Sequence, residues 1–189
     1  MIKHFILASQ SPQRLALLKQ IGYEPEKIEP ANIDETPRVK EKPCQYVKRM
    51  AKEKALYIAE KNKNKVVLAS DTIIVCGTKI IQKSKNDEEQ KKVLKLLSGK
   101  THKVITSICV VDEKGRARVR VNTTKIKMKR LTEEEIENYI ASGEWIGCAG
   151  YKIEGLLGGF VIQMIGSYSG VVGLPLFDAR SLLIGAGVY

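Results

Sequence analysis

The stretch ILASQSPQR at residues 6–14 sets Ser9, Ser11, Gln13 and Arg14 where an apolar strand gives way to a helix opened by Pro12. A helix N-terminus has unsatisfied backbone N–H groups and the positive end of the helix dipole. Hydroxyls and a guanidinium there suit an anion, and phosphate is the expected ligand. Ser11 as N-cap before a proline is also how an ordinary helix begins. Other segments have to decide.

Three acidic positions stand against a basic background. Asp71 directly follows the apolar run VVLAS, so it either pairs structurally or lies at the mouth of a cleft. Asp34-Glu35 sits before Thr36-Pro37, where an Asx-type turn is the plain alternative to a ligand role. Glu154 falls inside a glycine-rich stretch. Carboxylates converging on phosphate oxygens would bind Mg²⁺ or Mn²⁺, hard cations that leave positions for water and substrate phosphate. Lys54 and Lys83 could supply cations to such a site, although a single lysine read alone faces solvent. SGKTHKV at 98–104 lacks the first glycine and the spacing of a P-loop. No G-x-G-x-x-G opens a helix after a strand, and no Ser or Cys stands in a G-x-S-x-G or Cys/His setting.

The elements that must carry these residues alternate between strand and helix. A strand is expected at about 3–8 and a helix at about 12–21, stopped by Gly22. A longer helix follows at about 43–62, with Val47, Met50, Ala51 and Ile58 at helical spacing. VVLAS reads as a strand broken at Asp71, with TIIVC continuing after it. A helix starts at Asn86 with three acids in its first turn and ends at Ser98-Gly99, and KVITSICVV is a further strand. Over 117–129 the apolar phase moves from Val119 and Val121 to Ile126 and Met128, which predicts a bulge or bend. Thr132 and Glu135 form a capping box, and a C-terminal helix follows the glycine-rich segment. The sum is an α/β fold with a mixed sheet, read as one domain over 1–189.

Composition narrows the class. With 43% hydrophobic and 28% charged residues the chain is that of a soluble globular protein. No apolar run reaches membrane-span length and the N-terminus lacks a signal-peptide pattern, so the expected location is the cytoplasm. Four dispersed cysteines without a C-x-x-C pair argue for free thiols rather than zinc. The net charge of +11 is spread over lysines with few interleaved aromatics, so a small polyanion fits better than a nucleic-acid polymer.

In order along the chain, LASQSPQR, IDETP, YVKRMAKEKA, LASDTIIV, SGKTHKVITS, EEEIENYIASGEW, CAGYKIEG and GSYSGVVGLPL resemble the Maf family, septum-formation-inhibitor-like nucleoside triphosphate pyrophosphatases. The resemblance covers about 5–180. It implies a two-lobed α/β fold like that of inosine triphosphate pyrophosphatase, a nucleotide cleft between the lobes, often a dimer, and hydrolysis of a nucleoside triphosphate to monophosphate and pyrophosphate. It makes Asp71 the catalytic base, Glu35 with Asp71 the metal ligands, Arg14, Lys54 and Lys83 the triphosphate cations, and Ser9 and Ser11 phosphate-binding hydroxyls. Gln13, Thr72 and Glu154 match its specificity positions. Members that cleave dTTP and UTP read S-P-R-R and Y-G-I-Q-G, against Gln13-Arg14 and Tyr151-Lys152-Ile153-Glu154-Gly155 here. The acid and the neighbouring CAG look more like the branch acting on 7-methyl-GTP, which has Trp and Gln where this chain has Gln13 and Thr72. The base therefore stays open between a pyrimidine, 7-methylguanine and another modified base. The family's K-P is Lys83-Ser84 here, which keeps the cation and loses a fixed φ. A different class, a regulatory nucleotide- or nucleic-acid-binding protein of cell division with weak or no catalysis, is the competing expectation. The retention of all the charged catalytic positions speaks against it.

Overall fold

A computed structural model describes residues 4–189. Seven strands form one mixed sheet: β1 (Phe5–Leu7), β2 (Lys27–Ile28), β3 (Val66–Cys76), β4 (Lys79–Ile81), β5 (Thr101–Val111), β6 (Ala117–Met128) and β7 (Val161–Ile165). The order is β2-β1-β3-β5-β6-β7, with β4 also paired to β3. The helices are α1 (Pro12–Gln20), α2 (Pro43–Lys61), α3 (Asp87–Leu97), α4 (Glu133–Ala141), α5 (Tyr168–Val172) and α6 (Leu176–Gly185), with a 3₁₀ turn at Leu156–Phe160.

Side chains on a strand alternate between faces, and β3 shows what each face buries. Val67 and Ala69 pack on Ala51, Ala55 and Ile58 of α2, while Ile73 and Val75 meet its Tyr46, Val47 and Met50. On the opposite face Val66 and Leu68 join α1 and α6 residues such as Leu18 and Leu183. Ile74, further along that same face, joins Leu94, Leu97, Ile136 and Tyr139 of α3 and α4. One face is thus roofed by α2, and the other carries two separate cores, which are the two lobes.

Two sequence expectations need correction. β3 is not broken at Asp71: the residue sits inside the continuous β3–β5 ladder, opposite Ser107. A ladder is made of backbone groups, so a charged side chain inside an apolar run need not end it. The shift of apolar phase in β6 is real, yet its register with β5 is unbroken from Thr101↔Lys127 to Val111↔Ala117. Val119 packs toward α2, whereas Ile126 and Met128 enter the α3/α4 core, so the strand exchanges its covered face without a bulge there. The irregularity in β6 lies instead at Lys127/Met128, against β7. The remaining boundaries lie within a residue or two of expectation, and Lys3 of the first strand lies outside the described residues.

Candidate active site

β5 occupies one edge of β3 along nearly its whole length, so β1 and β4 share the other. β1 pairs with Val66–Leu68 and β4 with Ile74–Cys76, so neither strand pairs with residues 69–73 on that edge. At this split a cleft of about 1290 Å³ opens between the lobes. Ser9, Ser11, Gln13, Arg14, Glu35, Lys54, Asp71, Thr72, Lys83 and Glu154, the whole set of site residues expected from sequence, line it.

Asp71 and Lys54 meet because both interrupt apolar stripes that face each other. Asp71 follows Val67 and Ala69 at the strand period, and Lys54 lies on the α2 stripe of Val47, Met50, Ala51, Ala55 and Ile58. Lys54 Nζ donates to Asp71 Oδ1 at 2.7 Å and stands 3.0 Å from Glu35 Oε1. Only about a tenth of either the Lys54 or the Asp71 side chain is exposed. Burial raises the Asp71 carboxyl above its ordinary value, opposed by Lys54 and Arg14. Asp34 does make the Asx-type turn, accepting from Thr36 N at 2.9 Å, and this leaves Glu35 beside the cleft. Tyr46 fixes that loop by donating its hydroxyl to Glu35 O at 2.8 Å.

The N-terminus of α1 is capped, and Arg14 folds back over it. Ser11 is the N-cap and accepts from Arg14 N, while Pro12 opens the helix. Arg14 turns back: Nη1 donates to Ser9 Oγ at 3.0 Å and Nε to Gly173 O at 3.1 Å. Burial pulls the Arg14 value down, and Asp71 and Glu35 oppose this, so the guanidinium stays charged. Ser70 Oγ donates to the same Gly173 carbonyl at 2.9 Å. Gly173 has φ +132°, a conformation open to glycine, and a Cβ there would stand 3.4 Å from Arg14 Nε. Sequence reasoning missed Tyr46 and Gly173; Tyr46 shares the helical spacing of Met50.

The opposite wall is the loop 146–154, held by neutral hydrogen bonds. Lys152 N donates to Tyr139 Oη at 3.2 Å, and Gln90 Nε2 donates to Gly150 O at 2.7 Å. The Tyr151 hydroxyl lies 2.6 Å from Nε2 of buried His102. Lys83 pairs through its main chain with Ala149, which brings a cation to the end of this wall. Gln13 accepts from Ser11 Oγ through Oε1 at 3.1 Å, so its amide N–H groups are available to a ligand. Thr72 is tied to Thr106 Oγ1 at 3.0 Å, and Glu154 is exposed within the cleft.

Two carboxylates on one buried ammonium are a cation-holding pair, and their hard oxygens suit Mg²⁺ or Mn²⁺ if phosphate and water complete the shell. Among the described residues no group of three or more His, Cys, Asp or Glu side chains is placed to hold a metal unaided.

The structure is thus that of an α/β protein with a basic, hydroxyl-lined cleft at a split sheet edge. The family model of Maf-like proteins matches residues 4–186, and the chain belongs to that family. It is 44% identical to a dTTP/UTP pyrophosphatase of Zymomonas mobilis, with 99% of this chain and 93% of that protein covered. With a dTTP/UTP pyrophosphatase of Caulobacter vibrioides it shares 45% identity over 96% of this chain and 95% of the relative. The fold is that of a HAM1 protein from Coxiella burnetii, at TM-score 0.52 and 18% identity, covering 80% of both chains. No described helix is long and apolar enough to cross a membrane.

Proposed function

We propose that the protein hydrolyses a nucleoside triphosphate between the α and β phosphorus, releasing the nucleoside monophosphate and pyrophosphate. The observation that carries this reading is the buried Asp71 held on Lys54 beside Glu35, lining one cleft with Ser9, Ser11 and Arg14. Water oxygen forms a bond to the α phosphorus as the bond to the bridging oxygen breaks. Asp71 takes the water's proton, and burial makes it a stronger base than an exposed carboxylate. Arg14, Lys54 and Lys83 meet the charge that gathers on the departing pyrophosphate. Glu35 and Asp71 would hold Mg²⁺ or Mn²⁺, which when bound lowers the pKa of its water and neutralises phosphate oxygens.

Gln13, Thr72 and Glu154 are the residues we assign to reading the base. The relatives' names make dTTP and UTP the first substrates to assay. A carboxylate at position 154 accepts hydrogen bonds and cannot donate them, so it matches the carbonyl-rich edge of uracil or thymine less well than a glutamine would. Donor-bearing or modified bases are better matched, and clearance of such nucleotides, with the effect on cell division that the family resemblance suggests, is the cellular role we propose. The test is a panel of canonical and modified nucleoside triphosphates assayed for pyrophosphate and orthophosphate with Mg²⁺, Mn²⁺ or EDTA. Pyrophosphate release from at least one of them, abolished by EDTA, is expected; orthophosphate alone, or indifference to EDTA, contradicts the proposal.

A further inference from the structure

Gln90 is a fully buried amide on the same face of α3 as Leu94 and Leu97. A buried amide must find partners, and both ends of this one do. Its Oε1 accepts from Ser84 Oγ at 2.8 Å, and its Nε2 donates to Gly150 O at 2.7 Å. The two partners lie on segments far apart in sequence that meet on one wall of the cleft. Ser84 follows Lys83, and Gly150 precedes Tyr151, Lys152 and Glu154. Lys83 itself bridges to Ala149 through its main chain, so the side-chain link through Gln90 extends a backbone link. Gly150, at φ +77°, lies so close to β3 that a Cβ would stand 2.7 Å from Ile74 Cδ1. The Ser84 hydroxyl donates the bond to Gln90, so this bond needs a hydroxyl-bearing residue at position 84. Gln90 is not among the residues that line the cleft.

We infer that Gln90 is a positioning residue that couples the phosphate-side cation Lys83 to the base-side loop 149–154. This rests on the pyrophosphatase reading above. With the tie intact, triphosphate held by Lys83 and base held near Glu154 meet one rigid wall. Without it, Lys83 and the loop adjust separately, so binding weakens and the wrong base is rejected less well, while Asp71 and Lys54 keep their geometry.

The experiment is steady-state kinetics on the full chain with the best nucleotide of the panel and a poorly used one. Gln90→Leu removes both bonds at similar volume and good helix propensity. It is expected to raise KM on the order of tenfold with kcat changed by less than about threefold, and to narrow the kcat/KM ratio between the two nucleotides. Ser84→Ala should give part of the same change, and the double variant should be no worse than Gln90→Leu alone, because both act through one chain of bonds. Leu94→Ala, a cavity in the same core, should lower the melting temperature without narrowing the ratio. If KM and the ratio stay within about twofold of wild type in Gln90→Leu, or in Ser84→Ala should the first variant not fold, the coupling is overturned. It is equally overturned if Leu94→Ala narrows the ratio as much. A wild-type protein that releases no pyrophosphate from any nucleotide contradicts the pyrophosphatase reading first and this inference with it. An active wild type with unaltered variants contradicts the coupling alone.

Discussion

The two walls of the cleft are built on different principles. The wall we assign to phosphate places its charges on regular elements: Asp71 on β3, Lys54 on α2 and Arg14 in the first turn of α1, each bonded to a partner within the wall. The wall we assign to the base is a loop held from behind by Gln90 and Tyr139 and against His102, and it presents Lys152 and Glu154 to the cleft. Phosphate is common to all nucleotides, so its receptor can be rigid and buried. The base differs between substrates, and a tethered loop lets its receptor change without disturbing the catalytic end.

The comparison can be broken most severely at the phosphate wall. Asp71→Asn is nearly isosteric and removes the proton acceptor, and turnover should fall on the order of 10²- to 10⁴-fold with the melting temperature retained. Near-normal turnover in a folded variant would return Asp71 to a structural role. Lys83→Ala should raise KM and lower kcat together, since a phosphate cation acts in both ground and transition states.

A change on the specificity side should move selectivity instead of turnover. Gln13→Arg with Glu154→Gln supplies donors where the carboxylate only accepts. Glu154 is exposed until a base covers it, and a polar group left unmatched under a bound base costs up to roughly 1–3 kcal/mol, so the kcat/KM ratio of UTP to GTP should rise severalfold, by at most about 150-fold. An unchanged ratio would show that these side chains do not read the base.

Behind the base wall, at His102, the expected effect is on stability rather than on turnover. His102 is buried with Nδ1 unpartnered, and burial lowers its pKa from 6.5 to about 4. A histidine depressed in the folded state stabilises fully above pH 6.5, and that contribution is lost as pH falls toward about 4. Wild-type unfolding free energy should therefore drop by about 3 kcal/mol over this window, beyond what His102→Gln loses, in denaturant titrations at each pH. Parallel curves for the two proteins would show that His102 does not carry the acid sensitivity.

How far the molecule could be read from its residues follows the same division. Part of the wall assigned to phosphate is legible in the sequence, since the Ser-x-Ser-Pro-x-Arg run before a helix and an acid within an apolar run are local anomalies, yet each has a plain structural reading as well. Lys54 was readable in principle as a charge on the stripe of Met50, Ala51 and Ile58, but its meaning needs Asp71 opposite it. Glu154 and Lys83 stand out only as an acid in a glycine-rich stretch and a lysine that read alone faces solvent, and their roles come from the family resemblance. Gln90 repeats at core spacing with Leu94 and Leu97, a polar residue at an inward position, yet its partners are distant in sequence and belong to no periodic pattern. The same limit explains β3 and β6. Periodicity reports which side chains are buried, whereas the ladder that defines a strand is written in backbone groups.

The central claim is attack of water on the α phosphorus, and the site of oxygen transfer tests it most directly. Hydrolysis of the preferred nucleotide in water carrying heavy oxygen should place the label in the nucleoside monophosphate, as read by mass spectrometry, and leave the pyrophosphate unlabelled. Label in pyrophosphate, or in orthophosphate released as the first product, would contradict the account.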